Sequence, residues 1–472
     1  MESTMRNVPR SISVFTLAMI NVAAICSVKN WPLTAEYGFS ALFFLLVGAL
    51  IFLLPVSLIS AELATGWPKI GGVYVWVKEA FGHRSGFLAA WLLWIENVIW
   101  YPTILSFIAA TLAYFFNPEL AQNTFYNVAV IFVAFWGMTL VNLLGMRASG
   151  LISTIGAIAG TLIPGILIII LGFIWFFQGM PLQITLDWAS LIPNMSQPKQ
   201  LVFFSGVLLS FAGMEMSAIH ARDVRNPQKD YPRSIFLSAF VIVFLSTLGI
   251  LSIASVVPKD DITLTGGSMQ AFTIFLSAYN LSSWIPVIAL LVFFGALGSM
   301  STWIVGPTKG LLAAAQGGDL PPFMRKVNHK GMPVPLLFMQ AGIVTVLSLL
   351  FFLMPSVNSA FWLLMALVAQ VYLIMYLIMF AAAIRLRYTK PHVPRAYRVP
   401  GGKKWGMWCI AGLGIVGALL TFTIGFFPPD QITTGSPTFY ISFMTIGIIF
   451  VCLAPSLILR FKKESWNHPP KE

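Results

Sequence analysis

Residues 358–384 read NSAFWLLMALVAQVYLIMYLIMFAAAI and contain no charged side chain. A helix needs about 20 mostly apolar residues to cross a bilayer, so this stretch is long enough to cross one. In lipid every backbone polar group must be satisfied within the protein, and an apolar run of this length achieves that as a helix. Barrel strands alternate polar and apolar residues, and this stretch does not. It therefore predicts a transmembrane helix.

The same pattern recurs along the whole chain. Of its 472 residues, 58% are hydrophobic and 9% are charged, whereas soluble domains carry about 25% charged residues. We predict an all-α polytopic membrane protein. Its twelve transmembrane helices lie near residues 12–31, 40–62, 85–116, 124–144, 149–178, 200–220, 234–257, 284–312, 335–354, 358–384, 405–427 and 437–459.

The basic residues indicate the orientation of these spans. Twelve spans place both termini on one side, and of the 28 Lys and Arg residues only Lys29, Lys199 and Lys259 then fall on the other side, which leaves 25. The positive-inside rule therefore predicts cytoplasmic termini. The net charge of +12 is therefore explained by the topology of the chain, and anionic lipid headgroups partly balance this positive charge. We expect no nucleic-acid partner.

Three further features bear on the ends and connections of the chain. Residues 1–10 are polar and lead into the first span without a cleavage site, so we expect that span to remain as an anchor. The cysteines (Cys26, Cys409 and Cys452) lie in apolar segments, as small hydrophobes do, and indicate no disulfide framework. The proline-rich, basic segment 385–404 is expected to be a solvated, extended loop.

Ionisable residues inside a membrane are candidate functional residues. Glu215 lies in the sixth span, two residues after Gly213, which weakens the helix. Glu215 could hold the backbone amides freed by a break there, or it could only pair with a neighbouring helix. His220 lies at the cytoplasmic end of the same span.

The other polar residues in or near the spans allow simpler interpretations. Glu96 interrupts the third span, where packing against a polar partner is favoured, and Asn21 in the first span could form only a hydrogen bond between helices. Glu62 and Lys29 lie near span ends. The side chain of Lys29 could extend to the interface, or its ammonium could lie at the outer mouth of a binding site.

Transporters with inverted repeats bind their substrates where corresponding helices of the two repeats are broken. The candidate segments are Asn21–Val28 in the first span and Phe211–Ser217 in the sixth. Gly213 and Glu215 make the second break visible. The first segment contains neither Gly nor Pro, and its residues alone predict a continuous helix.

Several motifs resemble those of the amino acid–polyamine–organocation superfamily. They are the stretch from Ala61 to Gly82 after the second helix, and Ser210–Ala218 followed by Asn226–Pro232 around the sixth. Ser301–Pro307 and Pro428–Asp430 are similar to the bacterial glutamate/GABA antiporters. This resemblance covers about residues 12–460. It implies a LeuT-type fold with a 5+5 inverted repeat and two C-terminal helices.

The resemblance also divides the chain. It implies a cytoplasmic N-terminus over 1–11, a ten-helix transport core over 12–384 with repeats 12–178 and 200–384, the basic loop 385–404, two extra helices over 405–460 and a short cytoplasmic tail over 461–472. The location implied is the bacterial inner membrane. Because the sequence ends twelve residues after Arg460, we expect no long C-terminal plug and no pH gating by one.

The same resemblance implies a substrate-binding site. Half-helix amides suit the carboxylate of an amino acid, and half-helix carbonyls suit its ammonium. An aromatic residue packs on the substrate side chain, and tyrosines of the tenth helix lie near the site. The residues implied are Asn21, Ala23, Ala24, Ile25, Cys26, Ser27, Lys29, Phe211, Ala212, Gly213, Met214, Glu215, Ser217, Trp303, Tyr372 and Tyr376.

Two residues depart from the antiporters that the chain resembles. Lys29 stands where they carry a tyrosine, and Ser299 where they carry an acid. Both positions fall near the expected site, so the substrate remains open among glutamate, GABA and related amino acids.

We expect a secondary active amino acid transporter, an antiporter that works by alternating access, with no cofactor. A proton-coupled symporter is the alternative within transport, and an ion channel is an alternative of another class. A channel needs a selectivity filter or a symmetric pore, and no such motif is present in the sequence. An enzyme is not expected, because the five histidines show no metal-ligand spacing. The oligomeric state is not indicated.

Overall fold

The computed structural model describes residues 13–69, 71–145, 156, 158–193, 201–217, 226–402, 404–430 and 432–466, apart from a few helical side chains that include those of Ala23, Ala24 and Ser217. These residues form helices and connecting loops, with no strand among them. The helices are α1 Val14–Ile25, α2 Trp31–Ala35, α3 Ala41–Gly48, α4 Leu54–Gly66, α5 Val73–Phe81, α6 His83–Phe116, α7 Thr124–Asn142, α8 Ile163–Phe177, α9 Trp188–Leu191, α10 Phe204–Ser210, α11 Met214–Ser217, α12 Pro227–Val256, α13 Gly267–Ala278, α14 Ile285–Gln316, α15 Val334–Ser348, α16 Leu350–Leu353, α17 Val357–Thr389, α18 Trp405–Ile424 and α19 Pro437–Arg460.

Ten of the continuous helical segments found among the described residues are long and apolar enough to cross a membrane. They are Gly38–Gly66, His83–Phe116, Thr124–Asn142, Ala159–Phe177, Lys229–Val256, Ser282–Gln316, Val334–Leu353, Val357–Thr389, Trp405–Ile424 and Pro437–Arg460. They match ten of the twelve predicted spans. The remaining two, 12–31 and 200–220, contain helices that are interrupted or only partly described. The total of twelve stays a prediction.

The first span is not the continuous helix that its residues alone predict. α1 ends at Ile25, and Cys26 and Ser27 then adopt extended backbone, with ψ of 111° and 130°. A 3₁₀ turn over Val28–Asn30 leads into α2. Above the break, Asn21 donates to Ser238 of α12 over 3.3 Å. Asn21 thus forms a hydrogen bond between helices, which was the simpler interpretation of this residue.

α14 crosses the segment before α8 at very close range. A Cβ added to Gly160 would lie 2.1 Å from the Cα of Gly295, so the two backbones touch at this point. The contact brings Thr161, next to Gly160, and Ser299, about one turn after Gly295, to the same cavity. α19, in contrast, exposes Ile446 (67%) and Phe450 (73%), as suits a helix at the lipid-facing periphery.

Most described residues of the basic segment are exposed, as its composition predicts, but part of it is buried against the bundle. α17 continues to Thr389, and within the segment Arg395, Tyr397 and Val399 are buried. The buried carboxylate of Glu62, at the end of α4, forms a salt bridge with Arg387 of α17. Burial of these basic residues is possible because a carboxylate far away in the sequence neutralises them.

Glu62 also binds the segment that follows α17. Its Oε1 lies 3.4 Å from Nε of Arg395, and its Oε2 accepts from the backbone N–H of Val399 over 2.7 Å. Burial lowers the pKa of the Arg395 guanidinium, and the nearby Glu62 carboxylate opposes that shift. The Arg395 side chain also packs over the ring of Trp67. We call Glu62, Arg387, Arg395 and Val399 the Glu62 cluster.

Other connections meet on the same side of the bundle as the Glu62 cluster. Lys390 forms a salt bridge with Glu79, and His83 contacts the buried carboxylate of Asp319. Burial raises the pKa of Asp319, and the neighbouring His83 opposes that shift. We call the side that carries these four residues the basic face. It joins connections from both halves of the chain.

Candidate substrate-binding site

The sixth span is broken in its middle. α10 ends at Ser210, the chain turns through Phe211–Gly213, and α11 begins at Met214. Gly213 has a φ of 110°, a conformation that favours glycine because it has no Cβ. The structure therefore contains the break that Gly213 predicts.

Two tyrosines of α17 hold the carboxylate of Glu215 just after this break. The hydroxyl of Tyr372 donates to Oε1 and that of Tyr376 donates to Oε2, each over 2.6 Å. The Tyr376 hydroxyl also accepts from the backbone N–H of Gly213 over 3.2 Å. A backbone amide at the turn is thus linked to the Glu215 carboxylate through Tyr376. All these groups are buried. We call Glu215, Tyr372 and Tyr376 the Glu215 cluster.

The two breaks face one central cavity. Its walls come from the residues around both breaks, from the middle of α6, from α14 and from α17. It is lined by Ile25, Ser27, Lys29, Asn30, Glu96, Asn97, Trp100, Thr161, Leu209, Ser210, Ala212, Ser299, Trp303, Met365 and Tyr372. Both interrupted helices and two charged side chains therefore face the same space.

Trp303 closes one wall of the cavity. A Cβ added to Gly213 would lie 3.1 Å from the Trp303 ring, so the indole packs directly on the turn of the second break. Tyr101 donates to the Trp303 carbonyl over 2.7 Å and fixes α14 against α6. The ring of Trp100 lies 6.0 Å from that of Trp303, in an edge-on arrangement. The two indoles form an aromatic wall beside the break.

The sequence-predicted site residues divide into three groups. Ile25, Ser27, Lys29, Ala212, Trp303 and Tyr372 line the cavity. A second group lies behind that lining: Gly213, Glu215 and Tyr376 support the second break, while Asn21, Cys26, Phe211 and Met214 are buried in the surrounding packing. The side chains of Ala23, Ala24 and Ser217, and all of His220, lie outside the described residues.

The cavity is also lined by Glu96, which is not among the site residues predicted from the sequence, and by the predicted site residue Lys29. Glu96 has the polar partner expected of it, Asn97, but its side chain lines the cavity. The ammonium of Lys29 lies 4.2 Å from the centre of the Trp100 ring, and Lys29 lines the cavity. The sequence does indicate that α6 could line a polar site. Glu96 and Asn97 are adjacent polar residues in an apolar span, and Trp100 follows about one turn later.

The sequence matches the amino acid permease family over residues 12–451. The chain belongs to the amino acid permease family. This membership confirms the superfamily resemblance, and the all-helical architecture of the described residues agrees with the LeuT-type fold.

Curated relatives of this permease extend over nearly its whole length. An uncharacterized transporter of Legionella pneumophila is 45% identical, over 97% of this chain and 98% of its own length. A glutamate/gamma-aminobutyrate antiporter of Lactococcus lactis is 33% identical, over 95% and 90%. A probable agmatine/putrescine antiporter of the same species is 26% identical, over 84% of each chain. The permease is therefore an amino acid transporter and a multi-pass integral membrane protein.

Proposed function

We propose that this permease exchanges amino acids across the membrane by alternating access, with the central cavity as its binding site. The observation that carries this proposal is that the first and sixth spans are interrupted at the same cavity. A helix break frees backbone groups that water cannot satisfy inside a bilayer, so such breaks persist where a ligand or a polar cavity needs them.

The two breaks suit the two charged groups of an amino acid. The C-terminal carbonyls of α1, before Cys26, offer partial negative charge to the substrate ammonium. The half-helix that begins after each break presents its N-terminal end, with its partial positive charge, to the substrate carboxylate. Trp303 and Trp100 then contact the side chain. This division leaves Lys29, Glu96 and Ser299 to distinguish one substrate side chain from another.

The Glu215 cluster links binding to movement. α17 contacts the second break through Tyr376 and lines the cavity through Tyr372. A change in the backbone around Gly213 on substrate binding therefore disturbs the bonds to Glu215, and with them the position of α17. This connection gives the bound substrate a means to favour one orientation of the cavity over the other.

Exchange is the mode of transport that the relatives favour, because two of them carry names that describe antiporters. The test is uptake of labelled amino acids into proteoliposomes, with and without unlabelled amino acid inside. We expect unlabelled internal substrate to raise uptake severalfold. Uptake that instead depends on a proton gradient alone would mean symport, and current without saturable uptake would mean a channel.

We further propose that the basic face lies in the cytoplasm of a bacterial inner membrane, with both termini. The bias of 25 basic residues among 28 supports this orientation, as does the meeting of basic connections on one side of the bundle. In a cysteine-free background, cysteines placed at Glu464 and Trp466 should escape an impermeant thiol reagent added outside. Labelling of these positions in intact cells would mean that the C-terminal tail lies outside and that the proposed orientation is wrong.

A further inference from the structure

One basic and one acidic side chain line the central cavity without pairing with each other. Lys29 comes from the 3₁₀ turn after the first break, and Glu96 from the middle of α6. In the part of the chain that the structure describes, neither side chain forms a salt bridge with any residue. A charge removed from water is costly unless it is paired. A bound ligand is the natural partner for both.

Glu96 has one oxygen available to a ligand. Its side chain is 3% exposed, and its Oε1 accepts from the amide of Asn97. Its Oε2 accepts no hydrogen bond from a described residue. A carboxylate can accept about four hydrogen bonds. Most of the acceptor capacity of Glu96 is therefore free in the cavity.

Lys29 likewise has donors available. Its ammonium lies over the Trp100 ring, which attracts a cation but accepts no conventional hydrogen bond. Within the described residues, that ammonium makes no hydrogen bond. An ammonium has three N–H donors. These donors are free to meet an acceptor on a ligand.

The spacing of the two charges limits what can bridge them. Trp100 follows Glu96 by four residues and lies on the same face of α6, at a rise of roughly 6 Å. The Lys29 ammonium lies over the Trp100 ring, so Lys29 and Glu96 line the cavity beside successive turns of α6. A group that accepts a hydrogen bond at one end and donates one at the other complements both side chains.

We propose that Lys29 and Glu96 together select amino acids whose side chain ends in a neutral carboxamide. The amide oxygen accepts from Lys29, and the amide N–H₂ donates to Glu96. A carboxylate on the substrate side chain would be attracted by Lys29 but repelled by Glu96. An ammonium on the substrate side chain would be attracted by Glu96 but repelled by Lys29. The proposal rests on the proposed function, because it needs the substrate's own carboxylate and ammonium to bind at the helix breaks.

Two substitutions of similar size should move selectivity in opposite directions. Glu96→Gln removes the negative charge, so transport of glutamate should rise relative to glutamine. Lys29→Gln removes the positive charge, so transport of lysine should rise relative to glutamine. We expect each ratio to change about tenfold, which corresponds to about 1.4 kcal/mol. The charge-retaining variants Lys29→Arg and Glu96→Asp should keep the wild-type order.

The experiment is counterflow into proteoliposomes loaded with the unlabelled amino acid, using labelled glutamine, glutamate and lysine in turn. Wild type should exchange glutamine fastest. Lys259→Gln and Glu119→Gln are the matched controls, because both residues are exposed and neither lines the cavity. Thermal stabilisation of the detergent-solubilised variants by the same three amino acids gives a binding order that does not depend on turnover.

The outcomes separate this inference from the proposed function. Reciprocal shifts in the two variants support it. Unchanged ratios in both variants, in transport and in binding, overturn it, as does a wild type that exchanges glutamate or lysine but not glutamine. In those cases the amino acid exchange proposed above still stands. A wild type that exchanges no amino acid overturns both proposals.

Discussion

Glu62 and Glu215 are both buried carboxylates that tie one transmembrane helix to another, but they are held by different chemistry. Glu62 is held by the guanidinium groups of Arg387 and Arg395, and Glu215 by the neutral hydroxyls of Tyr372 and Tyr376. Separating buried ions costs several kcal/mol, whereas breaking a hydrogen bond to a charged group costs about 1.5–3 kcal/mol.

This difference suggests a division of labour. The Glu62 cluster fastens the segment after α17 to the end of α4 and is costly to open. The Glu215 cluster lies at the helix break beside the cavity, and its bonds are weak enough to rearrange during transport. Substitutions at Glu62 should therefore affect mainly stability, and substitutions at Glu215 mainly transport.

The largest effect on stability is expected from Glu62→Gln. It removes the negative charge that the guanidinium groups of Arg387 and Arg395 contact, and the loss of one partner from a buried ion pair costs about 3–5 kcal/mol. Thermal unfolding of the purified protein should show a clear fall in Tm. The matched control is Glu119→Gln, at an exposed site, which should leave Tm unchanged. A Glu62→Gln variant as stable as wild type would mean that the cluster does not fasten the basic face.

Glu215→Gln should affect transport more than stability, the opposite of Glu62→Gln. A glutamine offers one acceptor oxygen where two tyrosines donate, so one hydroxyl must turn away or lose its partner. We expect a loss of stability of about 1–3 kcal/mol and a fall in exchange of roughly two orders of magnitude per folded molecule, since a 2.7 kcal/mol change is about a hundredfold. Wild-type exchange by a well-folded variant would leave Glu215 a purely structural role.

How much the sequence predicts differs between the two broken helices. The break at Gly213 is visible because glycine favours a positive φ and weakens a helix locally. The break at Cys26 and Ser27 is not, because neither residue disfavours a helix strongly enough to end one in an apolar span. Tertiary packing and the resemblance to a family, not local propensity, indicate that break.

The two clusters show a similar limit. The composition of the segment with Arg395 predicts a solvated loop. The sequence does not show that the Glu62 carboxylate contacts this segment in the folded protein. Apolar periodicity places Glu96 in a span but does not tell which of its faces lines a cavity. Long runs of uncharged residues predict the spans themselves well, since their length and polarity are set by the bilayer and not by distant contacts.

The smallest and most discriminating effect is expected between the two tyrosines. Tyr376 makes two bonds through its hydroxyl, to Glu215 and to the Gly213 amide, whereas Tyr372 makes one. Tyr376→Phe should therefore lower the maximal exchange rate more than Tyr372→Phe does, by about fivefold for one further hydrogen bond of about 1 kcal/mol. Tyr372 lines the cavity, so its substitution should instead raise the KM for substrate. Initial exchange rates over a range of substrate concentrations separate these two effects. Equal changes in both parameters for both variants would mean that the tyrosines act only as a packed pair, because their rings stack 4.7 Å apart in either case.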